Sequence, residues 1–388
     1  MNLNHLYNPL KNKALWLLAL VLWLVVSCRE IYDYINYDSE TYTLQEPDNQ
    51  ISTKGLYLLN EGNMGSNKAS LSFFSYRTGQ FTQDFYTQQN PEMVQNLGDV
   101  GNDIEIYKGR LYAVINLSNY VEVMDAETGK HIGSVKVPNC RNITFQGNYA
   151  YVSSFAGAVE LNPNYSQKGF VAKIDLSSLQ VVGKAEVGYQ PEELEIVGNK
   201  LYVANSGGYR APNYDNTLSV IDLDTFLEIK RIEVETNLAK VRKDKNEMLW
   251  VTTRGNYGNI PPKTFIINPK TDSVEKEIGT ALSNFAFYGD SVYYYSYIWS
   301  AAGSSSEFGI LNINNQEVIT RNLFSDEIKK QIKIPYGITI NPSNGDIFIA
   351  DAKNYVSPGE LFCFNNSGTL KWKATTGDIP AHFAWLED

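Results

Sequence analysis

Histidine, the commonest general acid or base, is scarce in this chain. Three occur among 388 residues, His5, His131 and His382, and His5 precedes an apolar leader. Two isolated imidazoles leave little material for a Ser-His-Asp relay or a multi-histidine metal site. No CxxC, GxGxxG or P-loop spacing occurs. Glu61, Asp103, Glu192 and Asp351 could in principle gather around a calcium ion, which takes oxygen ligands, but they come from separate segments without a spacing signature. The larger chemical resource is aromatic, with 26 tyrosines beside five methionines. Tyr165, Tyr209, Tyr214, Tyr257, Tyr297, Trp299 and Tyr355 fall in loop-like stretches with Phe155, Arg210, Arg254 and many Asn, Ser and Gly. Flat amphipathic rings beside adaptable polar groups suit a rigid ligand with an apolar plane and an amide-rich rim. Arginine can stack on such a plane or donate to a phosphate.

Composition narrows the classes further. The formal charge of −10 argues against a nucleic-acid partner, since neutralising phosphates needs clustered Lys and Arg. Three cysteines cannot staple a chain of this length, and Cys140 and Cys363 are expected as free, buried thiols. Near the start, Lys11 and Lys13 precede the apolar run Ala14–Val26. Thirteen residues are too few for a bilayer span, which needs roughly 20, but suit a secretory leader. Val25-Val26-Ser27-Cys28 resembles a bacterial lipobox, which implies cleavage before Cys28 and its lipidation. Residues 1–27 are then a signal peptide, and losing their two lysines takes the charge to −12. Residues 28–53, with Glu30, Asp33, Asp38 and Glu40, read as an acidic tether resembling the surface-export signal of gut-bacterial lipoproteins.

Residues 54–388 repeat. A five-residue strand signal with an aromatic second position recurs as LYLLN, LYAVI, AYVSS, LYVAN, LWVTT, VYYYS and IFIAD, placing Tyr57, Tyr112, Tyr151, Tyr202, Trp250, Tyr293 and Phe348 about 48 residues apart. That period matches four-stranded propeller blades, and alternating β-branched and aromatic residues with Gly, Asn and Asp punctuation predict an all-β fold. The expectation is a seven-bladed β-propeller of about 28 strands. The chain enters at a second strand (Leu56) and ends on a first-type strand (Ala381–Leu386), so the C-terminus should complete blade 1. Loops after each second strand are long in six blades: Glu61–Ser70, Phe155–Lys168, Ser206–Asn216, Arg254–Pro262, Tyr297–Ser306 and Ala352–Pro358. Extra loop length on one face marks it as the functional face. Polar residues ending the strand signals, among them Asn60, Asn205 and Asp351, should either point to the channel rim or cap their strands. His131 is expected at the surface, and His382 near the loop face in a structural or ligand-contact role.

Leu201–Asn205, with Val220-Ile221-Asp222, Val187-Gly188 and Pro191 around it, resembles the YVTN repeat of YncE-like β-propellers. Together with the lipobox, the acidic tether and the aromatic loops, the chain resembles the BtuG-type surface lipoproteins. The resemblance implies a non-enzymatic protein at the outer-membrane surface, lipid-anchored through Cys28. It would capture cobalamin or a related corrinoid and pass it to a TonB-dependent transporter. Ligand contacts are then expected from Asn60, Phe155, Asn205, Tyr209, Arg210, Tyr214, Arg254, Tyr257, Tyr297, Trp299, Asp351, Tyr355 and His382. No catalytic cofactor is expected. A protein- or glycan-binding adhesion propeller and a metal-dependent lactonase or lyase stand as alternatives.

Overall fold

The computed structural model describes residues 40–93, 96–300 and 303–388. The leader and Cys28 lie outside the described residues. Seven antiparallel sheets, six of them built from four consecutive strands, form the blades of an all-β propeller. Blade 2 is typical: Gly101–Tyr107 is innermost, followed outward by Arg110–Ile115, Tyr120–Asp125 and His131–Lys136. The inner strands of blades 3 to 7 are Cys140–Gln146, Pro191–Val197, Leu238–Lys243, Asn284–Tyr288 and Pro335–Ile340. Every LY-type signal sits on the second strand of its blade, a strand flanked by ladders on both sides. Burial on both faces explains the near-continuous apolar reading of those signals.

Blade 1 is closed by the two ends of the propeller. The C-terminal strand Pro380–Glu387 pairs along Thr53–Asn60, with Leu386 opposite Gly55 and His382 opposite Leu59. Seven apolar clusters, one for each blade interface, pack the ring. The last of these joins Phe348, Leu361, Cys363 and Trp372 of blade 7 to Leu56, Leu58 and Phe74 of blade 1. An open array of seven blades would have only six such interfaces. The repeating aromatics are all buried in this packing, Tyr57, Tyr202, Trp250 and Phe348 completely. Cys140 and Cys363 are free and buried, on different blades.

Three features differ from the sequence reading. The propeller begins before residue 54, because Thr41–Thr43 adds a fifth strand to the outer edge of blade 1. Its Tyr42 hydroxyl donates to Thr375 O at 3.0 Å, and Trp372 Nε1 donates to Gln45 Oε1 at 3.0 Å, so this stretch is docked rather than a free tether. The presumed loop Tyr297–Ser306 is largely a hairpin: Ser291–Ser300 and Gly303–Asn312 pair as far as Ser300 and Gly303. The run Tyr293-Tyr294-Tyr295-Ser296-Tyr297-Ile298-Trp299 carries strand propensity past the blade edge. Short helices at Phe85–Gln89 and Asp326–Gln331 decorate the outer connections.

The feature that shapes the site is a register slip at the start of the inner strands. In blade 4, Pro191 pairs with Asn205 and Leu194 with Val203, so Glu192 and Glu193 together face Ala204. Blades 3 and 5 repeat the slip at Arg141–Asn142 and Ala239–Lys240. In blades 2, 7 and 1 the extra residues are Asn102, Tyr336 and Ala381. A β-bulge of this kind breaks the strict in–out alternation and re-aims side chains. Left-handed residues precede five of the six bulged strands: Val100, Asn139, Gln190, Asn237 and Ile379 have φ from 44° to 63°. Deleting Ala381–Asp388 should remove the inner strand of blade 1 and lower the melting temperature of the whole domain. An unchanged melting temperature would contradict closure.

Candidate functional site

A cavity of about 560 Å³ lies where the inner strands begin. The bulges supply its floor and inner wall: Asn102, Arg141, Glu192, Glu193, Lys240 and Tyr336 all line it. The loop face adds Glu61, Arg254, Tyr257 and Tyr355, the long hairpin of blade 6 adds Tyr295 and Tyr297, and the closing strand adds His382. A narrower space of about 330 Å³ continues along the axis, lined by Asp103, Glu105, Glu195, Arg242 and Lys243. The functional face inferred from loop length is therefore the face on which the cavity opens.

Two ion clusters form one wall. Arg141 Nη2 donates to Glu192 Oε2 at 3.0 Å, while Arg254 Nη1 reaches Glu192 Oε1 at 3.2 Å. Burial pushes the Glu192 carboxyl up, but the two guanidinium groups outweigh it and hold it below the usual range. Beside it, Glu193 Oε1 accepts from Lys240 Nζ and Arg242 Nη2, each at 2.8 Å. Burial opposes ionisation here too, yet Arg242 and Lys240 bring this carboxyl down to about 2. Across the ring closure, Tyr336 Oη donates to Glu61 Oε2 at 3.2 Å and His382 Nε2 lies 3.1 Å from Glu61 Oε1. The Glu61 carboxylate, with burial, drives the Tyr336 hydroxyl well above its ordinary value. Tyr355 is pushed up to about 12 by burial and by Tyr297, Glu61 and Tyr257. These phenols stay neutral hydrogen-bonding rings at physiological pH.

Of the residues expected from sequence, Arg254, Tyr257, Tyr297, Tyr355 and His382 come together in the cavity. Asn60, Asn205 and Asp351 do not; all three are fully buried. Asn205 Oδ1 accepts from Gly188 N while its Nδ2 donates to Thr217 and Ser219, and Asp351 Oδ1 accepts from Ile334 N at 2.7 Å. Asn60 donates to Ser70 and Ser72. These are strand caps, because a polar side chain at a buried strand end satisfies the nearest backbone groups first. Phe155 is buried beneath Arg141, whose guanidinium lies 4.6 Å from the ring centre, and Tyr209 meets Phe155 edge-on. Arg210 stacks 3.7 Å over Tyr189 and donates to Tyr165 O, so it braces the blade-4 loop. Tyr214 and Tyr209 lie outside the cavity lining. Trp299 is on the blade-6 hairpin, and its side chain lies outside the described residues.

Sequence reading missed Arg141, Lys240 and Tyr336 as wall residues and Glu193 with them. Arg141 and Glu193 carried a signal in the Asn139-Cys140-Arg141 and Pro191-Glu192-Glu193 strand starts, whereas Lys240 and Tyr336 carried none that period-two alternation would reveal. The calcium grouping is not formed: Asp351 caps backbone, Glu192 is held between arginines, and among the described residues no cluster of three His, Cys, Asp or Glu could hold a metal ion. His131 is partly exposed and paired with buried Glu122. Because the Glu193 carboxyl titrates lower folded than unfolded, its stabilisation is complete above about pH 4.5 and is lost as pH falls toward 2. Glu193→Gln should therefore lower the melting temperature at pH 7 and flatten its decline between those limits. Calorimetry that finds parallel pH profiles for both proteins would refute this assignment.

The fold recurs in distant solved structures. A quinoprotein alcohol dehydrogenase-like protein from Bacteroides thetaiotaomicron superposes with a TM-score of 0.60 at 12% identity, covering 87% of this chain and 79% of that one. Kuenenia stuttgartiensis hydrazine synthase gives 0.51 at 16% identity, covering 68% and 76%. At such identities the likeness is one of fold. No curated protein sequence matches the chain. A family model described as a domain of unknown function, DUF5074, matches residues 54–378, nearly the whole propeller, and the chain is a member of that family.

Proposed function

We propose that the protein is a non-catalytic capture protein that binds a corrinoid on the loop face of its propeller. The observation that carries this reading is the make-up of the cavity. Tyr257, Tyr297, Tyr336 and Tyr355 offer flat apolar area with hydroxyl edges, beside guanidinium and carboxylate groups already fixed against one another. A corrinoid has a broad, nearly planar ring with an amide rim, which matches such a wall. Burying about 500 Å² of apolar ligand surface would contribute on the order of 12 kcal/mol before association costs. Among the described lining residues, no serine or cysteine is hydrogen-bonded to a histidine, and His382 is engaged by Glu61. In this reading Cys28 carries the lipid anchor, the protein sits at the outer-membrane surface, and the ligand passes to a TonB-dependent transporter docked against the loop face.

One observation favours a second reading. Tyr257 is 76% exposed and Tyr355 partly exposed, a platform on which a sugar ring of a surface glycan would stack as well. Titration with cyanocobalamin separates the two. The corrinoid reading predicts a change in the visible spectrum at micromolar ligand, with affinity reduced about tenfold or more in Tyr257→Ala/Tyr355→Ala and the fold intact, since such rings often dominate binding energy. Absence of any spectral or melting-temperature change with cyanocobalamin, alongside binding of polysaccharide, would establish the glycan reading in its place.

A further inference from the structure

The two ion clusters in the cavity wall are unequally satisfied. Four cations, Arg141, Lys240, Arg242 and Arg254, surround two carboxylates, Glu192 and Glu193. Two of the four have their donors taken up within the protein. Arg141 divides its guanidinium between Glu192 and Asn102 Oδ1 and lies over Phe155. Arg242 is shared by Glu193, Asn284 Oδ1 and the Phe285 carbonyl. Lys240 and Arg254 are different. Among the described residues, Lys240 Nζ makes one hydrogen bond, to Glu193, and Arg254 makes one through Nη1, to Glu192. The remaining N–H groups of Lys240 and the Nε and Nη2 groups of Arg254 have no acceptor among the described residues, and both side chains line the same cavity.

The surroundings of Lys240 point the same way. Its side chain is only 19% exposed, so water solvates the ammonium poorly. Burial lowers its affinity for the proton, Glu193 only partly compensates, and the positive charges of Arg242 and Arg254 lower it further. An anion between the two groups would accept the unused donors and relieve this repulsion; bidentate contacts to a guanidinium are among the stronger charge-assisted hydrogen bonds.

We propose that Lys240 and Arg254 form an oxyanion subsite of the cavity, which takes a carboxylate or phosphate group of the bound ligand. This rests on the cavity being the ligand site, but not on the ligand being a corrinoid. Full-length protein is titrated with sodium pyrophosphate and, separately, with sodium citrate, at ionic strength matched with sodium chloride, by calorimetry and thermal unfolding. At least one of these anions should bind and raise the melting temperature, and the anion that does so identifies the preferred class. Lys240→Met and Arg254→Met should each weaken that binding about tenfold. Arg254→Lys, which keeps the charge, should retain part of the affinity and controls for misfolding of the methionine variant. Cyanocobalamin, which carries a phosphodiester, should lose more affinity in Arg254→Met than cobinamide, which lacks it. Pyrophosphate binding without cyanocobalamin binding would support the subsite and overturn the corrinoid reading. If neither anion shifts the melting temperature, or if the variants respond as the wild type does, the subsite is refuted, and cyanocobalamin binding still decides the corrinoid reading by itself.

Discussion

A β-bulge at the first residues of six inner strands sets what the cavity is made of. In a regular ladder, neighbouring residues face opposite sides of a blade, and only alternate side chains from each strand would reach the axis. The slip puts Glu192 beside Glu193 and Arg141 beside Asn142 at the cavity wall. Charges from neighbouring blades then meet: Glu192 of blade 4 is held by Arg141 of blade 3 and Arg254 of blade 5. The bulges are maintained by left-handed residues, two of which, Val100 and Ile379, are β-branched and pay a conformational cost for the geometry. Where Asn or Gln holds that position, its side chain also ties the adjoining loop, as Gln190 Oε1 does in accepting from Tyr209 N and Asn237 Nδ2 in donating to Gly255 O.

Ring closure completes the arrangement. Glu61 and His382 are separated by 321 residues in sequence and meet because the last strand pairs with the first long one. The same pairing sets the end of blade 1 beside blade 7, where Tyr336 reaches Glu61. The site is thus distributed over nearly the whole ring, with no single loop carrying it. Local loop changes should alter the rim of the cavity while leaving its wall of ion clusters in place.

The repeat spacing, the number of blades and the closing strand were legible in the sequence, because burial of the second strand on both faces imposes a strong apolar and aromatic signature. The face on which the cavity opens was legible too, since loop length accumulates there. Arg254, Tyr257, Tyr355 and His382 were legible as cavity residues, but the polar residues of the inner strands were not. Asn60, Asn205 and Asp351 carry suitable chemistry but satisfy backbone groups, whereas Arg141, Lys240 and Tyr336 lie within strands and reach the cavity through an irregularity of register. Tyr297 stands in the cavity for a different reason from the one its sequence suggested: it belongs to a strand that outruns its blade. The tyrosine excess divides accordingly between blade interfaces, as at Tyr57 and Tyr202, and the cavity rim, as at Tyr257 and Tyr355.

Crystals grown with cyanocobalamin and measured at the cobalt absorption edge test most directly whether the cavity on the loop face holds a corrinoid. A single strong anomalous peak is expected over the cavity, bordered by Tyr257, Tyr355 and Arg254. A peak on the opposite face or the blade perimeter, or none from crystals soaked at saturating ligand, would contradict it.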